Sequence, residues 1–336
     1  MTTIYARAPV RLDLAGGWTD VPPFCEREGG AVVNVAINRY AYATAKTANR
    51  GVILNSADYD RTLRYDLAAT PRYDGELDLL KACVRLAVDA APPPFELFVR
   101  CDAPPGSGTG GSGSVAVAAA AAVAGWGGRR LAAHEAAHLA WRAEREELSI
   151  GGGTQDQYAA AYGGANLMEF HGSSVMVSPL ALAPHVIAEL EKRLVLCYTG
   201  VSRVSGDIID VVMGAYQEER RETVEALRTM RTLAAHLKTA LLQGTVASLG
   251  EILADNWRCQ RALHPSVSNG GIDVLFETAG RAGALGGKAL GAGGGGCLLF
   301  FAAPDREHEV RQALSNTGAR ALDFGLDHWG LQVWGA

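Results

Sequence analysis

The chain has 336 residues, 48% of them hydrophobic and 20% charged, and a formal net charge of −5. That balance excludes a disordered chain and gives a packed protein of one large or two ordinary domains, with no basic surface for nucleic acid or acidic membrane. Residues 1–11 show no basic stretch followed by an apolar one, and the most apolar run, residues 115–124, is too short to span a bilayer, so neither a secretory leader nor a membrane span is expected.

In chain order, residues 4–14 alternate as a strand and stop at Ala15-Gly16-Gly17. Residues 31–46 alternate again, through Val33, Val35 and Ile37. Residues 77–90 read as a helix broken by Pro92-Pro93-Pro94, and residues 95–101 as a strand. A Gly/Ser loop over 104–114 runs into an Ala-rich helix that starts near Ser112. Residues 131–148 form a further helix. Residues 216–243 form a long amphipathic one, with Val224, Leu227, Leu237 and Leu241 on one stripe and Gly244 as its stop. A helix over 272–281, a Gly-rich loop over 283–296, a strand over 297–302, a helix over 306–315 and two short strands complete the chain. The mixture points to α+β or α/β, with a boundary near 179–184. The cysteines at 25, 83, 101, 197, 259 and 297 form no Cys-x-x-Cys pair and read as reduced thiols of a cytoplasmic protein.

Three familiar motifs lack their context. His134-Glu135-Ala136-Ala137-His138 fits the zinc-protease pattern, but no Gly-x-x-His continuation follows. Gly106-Ser107-Gly108-Thr109-Gly110-Gly111 fits a dinucleotide fingerprint, yet it lies past residue 100 rather than in an opening βαβ unit. Gly287-Lys288 suggests a Walker loop, but Ala289 stands where Ser/Thr must bind magnesium and Ala282 where Gly is required.

Specificity comes from three segments together. They are Pro9-Val10-Arg11-Leu12-Asp13-Leu14-Ala15-Gly16-Gly17-Trp18-Thr19-Asp20, then Pro104-Pro105-Gly106-Ser107-Gly108-Thr109-Gly110-Gly111-Ser112, then Gly287-Lys288-Ala289-Leu290-Gly291-Ala292-Gly293-Gly294-Gly295-Gly296. In this order and at these separations they resemble the signature motifs of the GHMP kinases, named for galactokinase, homoserine kinase, mevalonate kinase and phosphomevalonate kinase. Within that family, residues 16–23, Glu144-Arg145-Glu146, residues 155–164 and residues 198–203 are similar to the D-glycero-D-manno-heptose 7-phosphate kinases.

The resemblance implies an α+β two-domain fold with the active site between the domains. An α/β N-terminal domain of the ribosomal S5 domain 2-like type would span 1–182, and an α+β ferredoxin-like C-terminal domain 183–336. It implies ATP and Mg²⁺, and transfer of phosphate to the anomeric C1 hydroxyl of a heptose 7-phosphate, giving the 1,7-bisphosphate. Nucleic-acid and membrane partners are not expected, and a homodimer is left open. The alternatives are a fucose-type kinase, a kinase for a longer sugar phosphate, an inactive sugar sensor or a dehydrogenase. Ser112, Glu144 and Asp156 argue against the sensor, which should lose metal or base residues.

Site residues carry over position by position. Pro105, Gly106, Ser107, Gly108, Thr109, Gly110, Gly111, Ser112 and Gly113 match the nucleotide-phosphate loop. Its glycines leave backbone N–H groups open to a polyphosphate, beside the positive end of a helix. Ser112 and Glu144 match the metal ligands. Glu144 also shares a helical side with Ala133, Ala137, Ala140, Trp141 and Leu148, where a carboxylate needs a partner, either Mg²⁺ or a buried Arg. Asp156 matches the catalytic carboxylate that takes or orients the acceptor's proton, and Arg11 the basic residue beside it. Asp20, with Gly16, Gly17 and Thr19, matches the sugar-binding turn. Gly293 and Gly294 would close on the site, and Arg203 would contact the substrate's own phosphate. Thr109 and Gly111 depart from the more usual Leu and Ser, and Gly153-Thr154 from Gly-Lys or Gly-Ser.

Overall fold

The first alternating run folds as strand β1 (Thr3–Ala15) and the next as the 18-residue β2 (Gly30–Thr47), which pair antiparallel along most of their length. The computed structural model describes residues 3–66, 72–88, 92–202 and 206–336. Between β1 and β2 lies a short helix, α1 (Phe24–Arg27). β3 (Val52–Ser56), β4 (Arg61–Tyr65), α2 (Asp78–Ala87), β5 (Phe95–Cys101) and α3 (Gly111–Trp126) follow. Next come α4 (Ala133–Arg142), α5 (Gln155–Tyr162), β6 (Ala165–His171) and β7 (Ser174–Pro179). Strand β2 organises this first sheet. Its first half pairs with β6 and its second half with β5, and β3 joins β5 in the sheet's parallel pairing.

The second half of the chain builds a smaller antiparallel sheet. Helix α6 (Pro184–Arg193) leads into β8 (Leu194–Tyr198), followed by α7 (Gly206–Gln217), α8 (Arg221–Leu242), α9 (Leu249–Leu263) and α10 (Gly270–Ala282). β9 (Ala284–Ala289), β10 (Cys297–Ala302), α11 (Glu307–Asn316) and β11 (Arg320–Leu322) complete it, in the order β11-β8-β10-β9. The last strand, β12 (Gln332–Gly335), returns to the first sheet and pairs with β1, so the two sheets do not divide cleanly in sequence.

The alternation of β1 aims the site. Ala6 and Ala8 of β1 belong to the core under α3, whereas Val10, Leu12 and Leu14 belong to the core shared with the second sheet. The register of β1 against β2 shifts between Pro9 and Val10. The unpaired residues, Asn38 and Arg39, lie on β2, so β1 keeps its alternation and leaves Arg11 and Asp13 on the side opposite Val10, Leu12 and Leu14, along the cleft.

Three expectations need correction. The helix over 131–148 is not continuous: α4 ends at Arg142 and Ala143–Glu147 form a π turn. The helix over 216–243 is two helices, because α7 ends at Gln217, Glu219 turns left-handed at φ 55°, and α8 starts at Arg221. The glycine-rich run over 283–296 begins as strand β9. Its glycines let neighbours approach: a Cβ at Gly286 would lie 1.9 Å from the Gly250 carbonyl of α9, and one at Gly287 2.4 Å from the Phe300 ring.

Candidate active site

A cleft of about 510 Å³ opens where β1, the N-termini of α3 and α5, and the loop after β9 converge. Gly106, Gly108 and Gly110 take φ of 67°, 75° and 78° and curl the backbone along one wall. Two glycines here also lie close against Asp156. A Cβ at Gly110 would lie 3.1 Å from the Asp156 Cγ, and one at Gly113 2.9 Å from the Asp156 Cβ. The Ser107 and Thr109 hydroxyls bond each other at 2.7 Å, so the departure at Thr109 braces the loop from inside. At Gly111 an added Cβ would meet only the Cys101 Sγ, at 3.7 Å. No side chain caps α3, so the N–H groups of its first turn and its positive end are available to an anion.

Asp156, in the first turn of α5, lies across this loop. Arg11 donates to its Oδ1 through Nε at 2.9 Å and Nη2 at 2.5 Å, and through Nη1 to the Gly108 carbonyl at 2.5 Å. Arg11 is buried, while the Asp156 side chain keeps 30% of its surface. The other oxygen, Oδ2, sits against Gly110 and has no protein partner among the described residues. A carboxylate is thus anchored by one oxygen and open at the other.

Glu144 sits in the π turn, a local widening of the helix that recurs at functional sites. Ser112 at the start of α3 donates to its Oε1 at 2.5 Å, and the Gln157 side-chain amide donates to Oε2. Although the residue keeps some exposure to the cleft, burial pushes its pKa up to about 7, with Asp156 adding to the effect. The hydrogen bonds from Ser112 and Gln157 oppose the shift without cancelling it. The Ser112 and Glu144 oxygens are hard donors, and a carboxylate that resists ionising gains from a cation. They therefore fit Mg²⁺, which takes one or two protein oxygens and the rest from phosphate and water.

Asp20 is 1% exposed and closes the cleft from the side of β1. Its Oδ2 accepts from the backbone N–H groups of Thr154 and Gln155, at 2.8 and 3.0 Å, and so ties the Gly17–Asp20 turn to the residues before Asp156. Gly153 must be glycine here, since a Cβ would lie 2.0 Å from that same oxygen. Burial raises the Asp20 pKa to about 6 despite the Gln155 hydrogen bond.

Of the residues expected from sequence, Arg11, Gly17, Asp20, Glu144 and Asp156 line the cleft, as does the loop over 105–112 except at Thr109. Gly16, Thr19 and Gly113 stand behind the wall. The Thr19 hydroxyl closes its own turn onto the Gly16 carbonyl at 2.7 Å. Gly293 and Gly294 also stand back, the latter donating to the Val267 carbonyl at 2.7 Å. Arg203 lies outside the described residues.

Sequence reasoning missed three supports. Gln157 holds Glu144, and its place one residue after Asp156 was the available signal. Asn256 and Gln260, one turn apart on α9, accept from the Gly16 N–H at 3.0 Å and donate to the Gly291 carbonyl at 3.0 Å. Their burial on a helix with no motif gave no sign of it. Asp13 and Lys288, both in quoted motifs, pair at 2.5 Å across the two sheets.

The family profile for the GHMP kinases N terminal domain matches residues 78–164, and that for GHMP kinases C terminal matches residues 237–320. A D-glycero-alpha-D-manno-heptose 7-phosphate kinase of Campylobacter jejuni is 35% identical over 339 residues, with 99% of each chain covered. A crystal structure described as a D-glycero-D-manno-heptose 1-phosphate kinase from Bacteriodes thetaiotaomicron aligns with a TM-score of 0.82 at 32% identity, over 98% of each chain. A galactokinase from Lactococcus lactis shares the fold, with a TM-score of 0.78 at 20% identity over 99% of this chain and 95% of that one. With profiles matching in both halves, and a relative of this identity along its whole length, the chain belongs to the GHMP kinases.

Proposed function

We propose that this kinase transfers the γ-phosphoryl group of ATP to the anomeric hydroxyl of a heptose 7-phosphate, yielding the 1,7-bisphosphate and ADP. The observation that carries the reading is Asp156, held by Arg11 through one oxygen and lying over the phosphate loop with the other free. The acceptor oxygen attacks the γ-phosphorus, its proton passes to Asp156 Oδ2, and the bond from the γ-phosphorus to the bridging oxygen breaks. Arg11 fixes the carboxylate's orientation, and the loop over 105–113 with the start of α3 binds the phosphates. Ser112 and Glu144 would hold Mg²⁺, which when bound neutralises phosphate charge. The turn with Gly16, Gly17, Thr19 and Asp20 orients the sugar, Gly293 and Gly294 back the loop that closes on it, and Arg203 binds the distal phosphate. We divide the domains at 182/183, with β12 rejoining the first.

The names of the two similar heptose kinases put the substrate's existing phosphate on different carbons, 7 in one and 1 in the other. The test is turnover of heptose 7-phosphate, heptose 1-phosphate, free heptose, fucose and mevalonate, with products read by ³¹P NMR. The reading expects heptose 7-phosphate to be used best, with a new phosphorus signal coupled to the anomeric proton. Preference for the 1-phosphate, or equal use of free heptose, would reject it and leave the kinase standing.

A further inference from the structure

Two lysines in this protein are almost fully buried, and their surroundings differ. Lys81 of α2 gives its ammonium three acceptors: the Arg72 carbonyl at 2.8 Å, Asp74 at 2.5 Å and Asp78 at 2.9 Å. Lys288 of β9 has one among the described residues, the Asp13 Oδ2 of β1 at 2.5 Å, with side chains 1% and 5% exposed. The second Asp13 oxygen is buried and has no partner among the described residues. A buried ion pair with donors and an acceptor left over is a poor source of stability, since the cost of desolvating both charges is not fully offset. Burial accordingly lowers the Lys288 pKa even with Asp13 beside it.

The pair joins the two walls of the cleft. On the β1 side, the Asp13 carboxylate lies against Gly17, where a Cβ would come 2.0 Å from Oδ2. Gly17 begins the turn that ends in Asp20, and Arg11, two residues before Asp13 on the same strand face, holds Asp156. On the β9 side, Lys288 is followed by Ala289, Leu290 and Gly291. The Leu290 carbonyl would lie 2.4 Å from a Cβ on Gly108, and the Gly108 Cα 2.9 Å from one on Gly291. One ion pair thus connects the strand that carries the acceptor side to the segment that buttresses the phosphate loop.

We propose that the Asp13–Lys288 pair is a positioning clamp that sets the spacing between the phosphate loop and the acceptor-binding turn. It acts through Gly17 and Gly108 from within the cleft wall, where the two side chains are 1% and 5% exposed. Misplacing reactants by about 1 Å costs on the order of 10²-fold in rate, so the clamp's loss should appear in kcat. The inference rests on reading the cleft as the phosphoryl-transfer site, and not on which sugar is used.

The experiment uses the acceptor that the wild-type enzyme turns over best, so failure on heptose 7-phosphate counts against the sugar assignment alone. Lys288→Met strands a buried carboxylate and is expected to lower stability as well as rate. The double exchange Asp13→Leu with Lys288→Met removes both charges and should recover most of that stability. Asp13→Asn, which keeps the shape, is the second route. In the double variant and in Asp13→Asn, kcat should fall about 10²-fold, while KM for ATP and for acceptor each stay within about threefold. More ATP should be hydrolysed per acceptor phosphorylated. Lys81→Met, the control from outside the cleft, should lose stability with little change in that ratio. A folded double variant or Asp13→Asn protein with kcat within about threefold of wild type would overturn the clamp.

Discussion

The outer face of α4 and the π turn that ends it present acidic residues in opposite surroundings. On the outer face, Glu135 stands between His134 and His138 in a pattern that suggests zinc. Its carboxylate is spent on the helix start, accepting from the Ala132 N–H at 2.8 Å, and both imidazoles are exposed. Among the described residues no group of three His, Cys, Asp or Glu side chains is arranged to hold a metal. Glu144, within the π turn, faces Ser112 and Gln157 in the cleft and resists ionisation. Residue letters at helical spacing are equal evidence in both places. What separates them is burial: Glu135 is exposed, whereas Glu144 sits where burial disfavours its charge.

The largest expected effect comes from breaking the inner side at Asp156. Asp156→Asn should fold and bind MgATP, and kcat should fall by about 10²-fold or more, the loss typical of a removed general base. That corresponds to roughly 2.7 kcal/mol of barrier. Steady-state kinetics beside ATP calorimetry would check it. Turnover within a few-fold of wild type would remove Asp156 from the proton transfer.

The metal assignment sharpens the contrast next. Glu144→Gln and Ser112→Ala should each raise the magnesium concentration for half-maximal rate. In the wild type a proton competes for Glu144, so the magnesium requirement should climb as pH falls below about 7, by up to roughly tenfold per unit. Glu144→Gln should lack that climb. Magnesium titrations at several pH values that coincide for wild type and variant would show that Glu144 takes no part in holding the ion.

The fold was legible where the signal is local. β1, β2, α2 and β5 announce themselves by alternation, periodicity and prolines, and the phosphate loop by glycines before an Ala-rich helix. What stayed hidden depends on partners distant in sequence. The π turn at Ala143–Glu147 changes the helical phase at Glu144, which meets Ser112 and Gln157 from other segments. Gly286 and Gly287 looked like loop because the close approach of α9 and Phe300, which makes glycine necessary in β9, is invisible in one dimension. Lys288 and Asp13 are 275 residues apart, and neither motif says that they meet. The site's charges were legible as letters and its supports were not.

A smaller effect lies in stability. Glu144 has a folded pKa of about 7 against an ordinary 4.5, so between those values the folded protein holds a proton that the unfolded chain has released. Its contribution is therefore full below 4.5 and lost as pH rises to about 7, and Asp20 acts in the same direction between 3.8 and about 6. In metal-free buffer, Tm should carry a downward component of roughly a few degrees across that window. Glu144→Gln should flatten it. Equal slopes in wild type and variant would place the proton elsewhere.

The smallest effect should come from the outer face. His134 packs its ring edge-on against Tyr158 at 5.3 Å and parallel to His138 at 6.5 Å, and His138 stacks on Trp141 at 5.6 Å. These are contacts of an exposed helix face, where single substitutions usually change stability by less than about 0.5 kcal/mol. His134→Ala should therefore leave kcat within about twofold and Tm within about 2 °C of wild type. Zinc chelators should leave activity intact at saturating magnesium, because neither imidazole reaches the cleft lining and Glu135 is committed to the helix start. Elemental analysis of the purified protein completes the test. Stoichiometric zinc that disappears with activity in His134→Ala would mean that the outer face, and not only the inner one, holds chemistry.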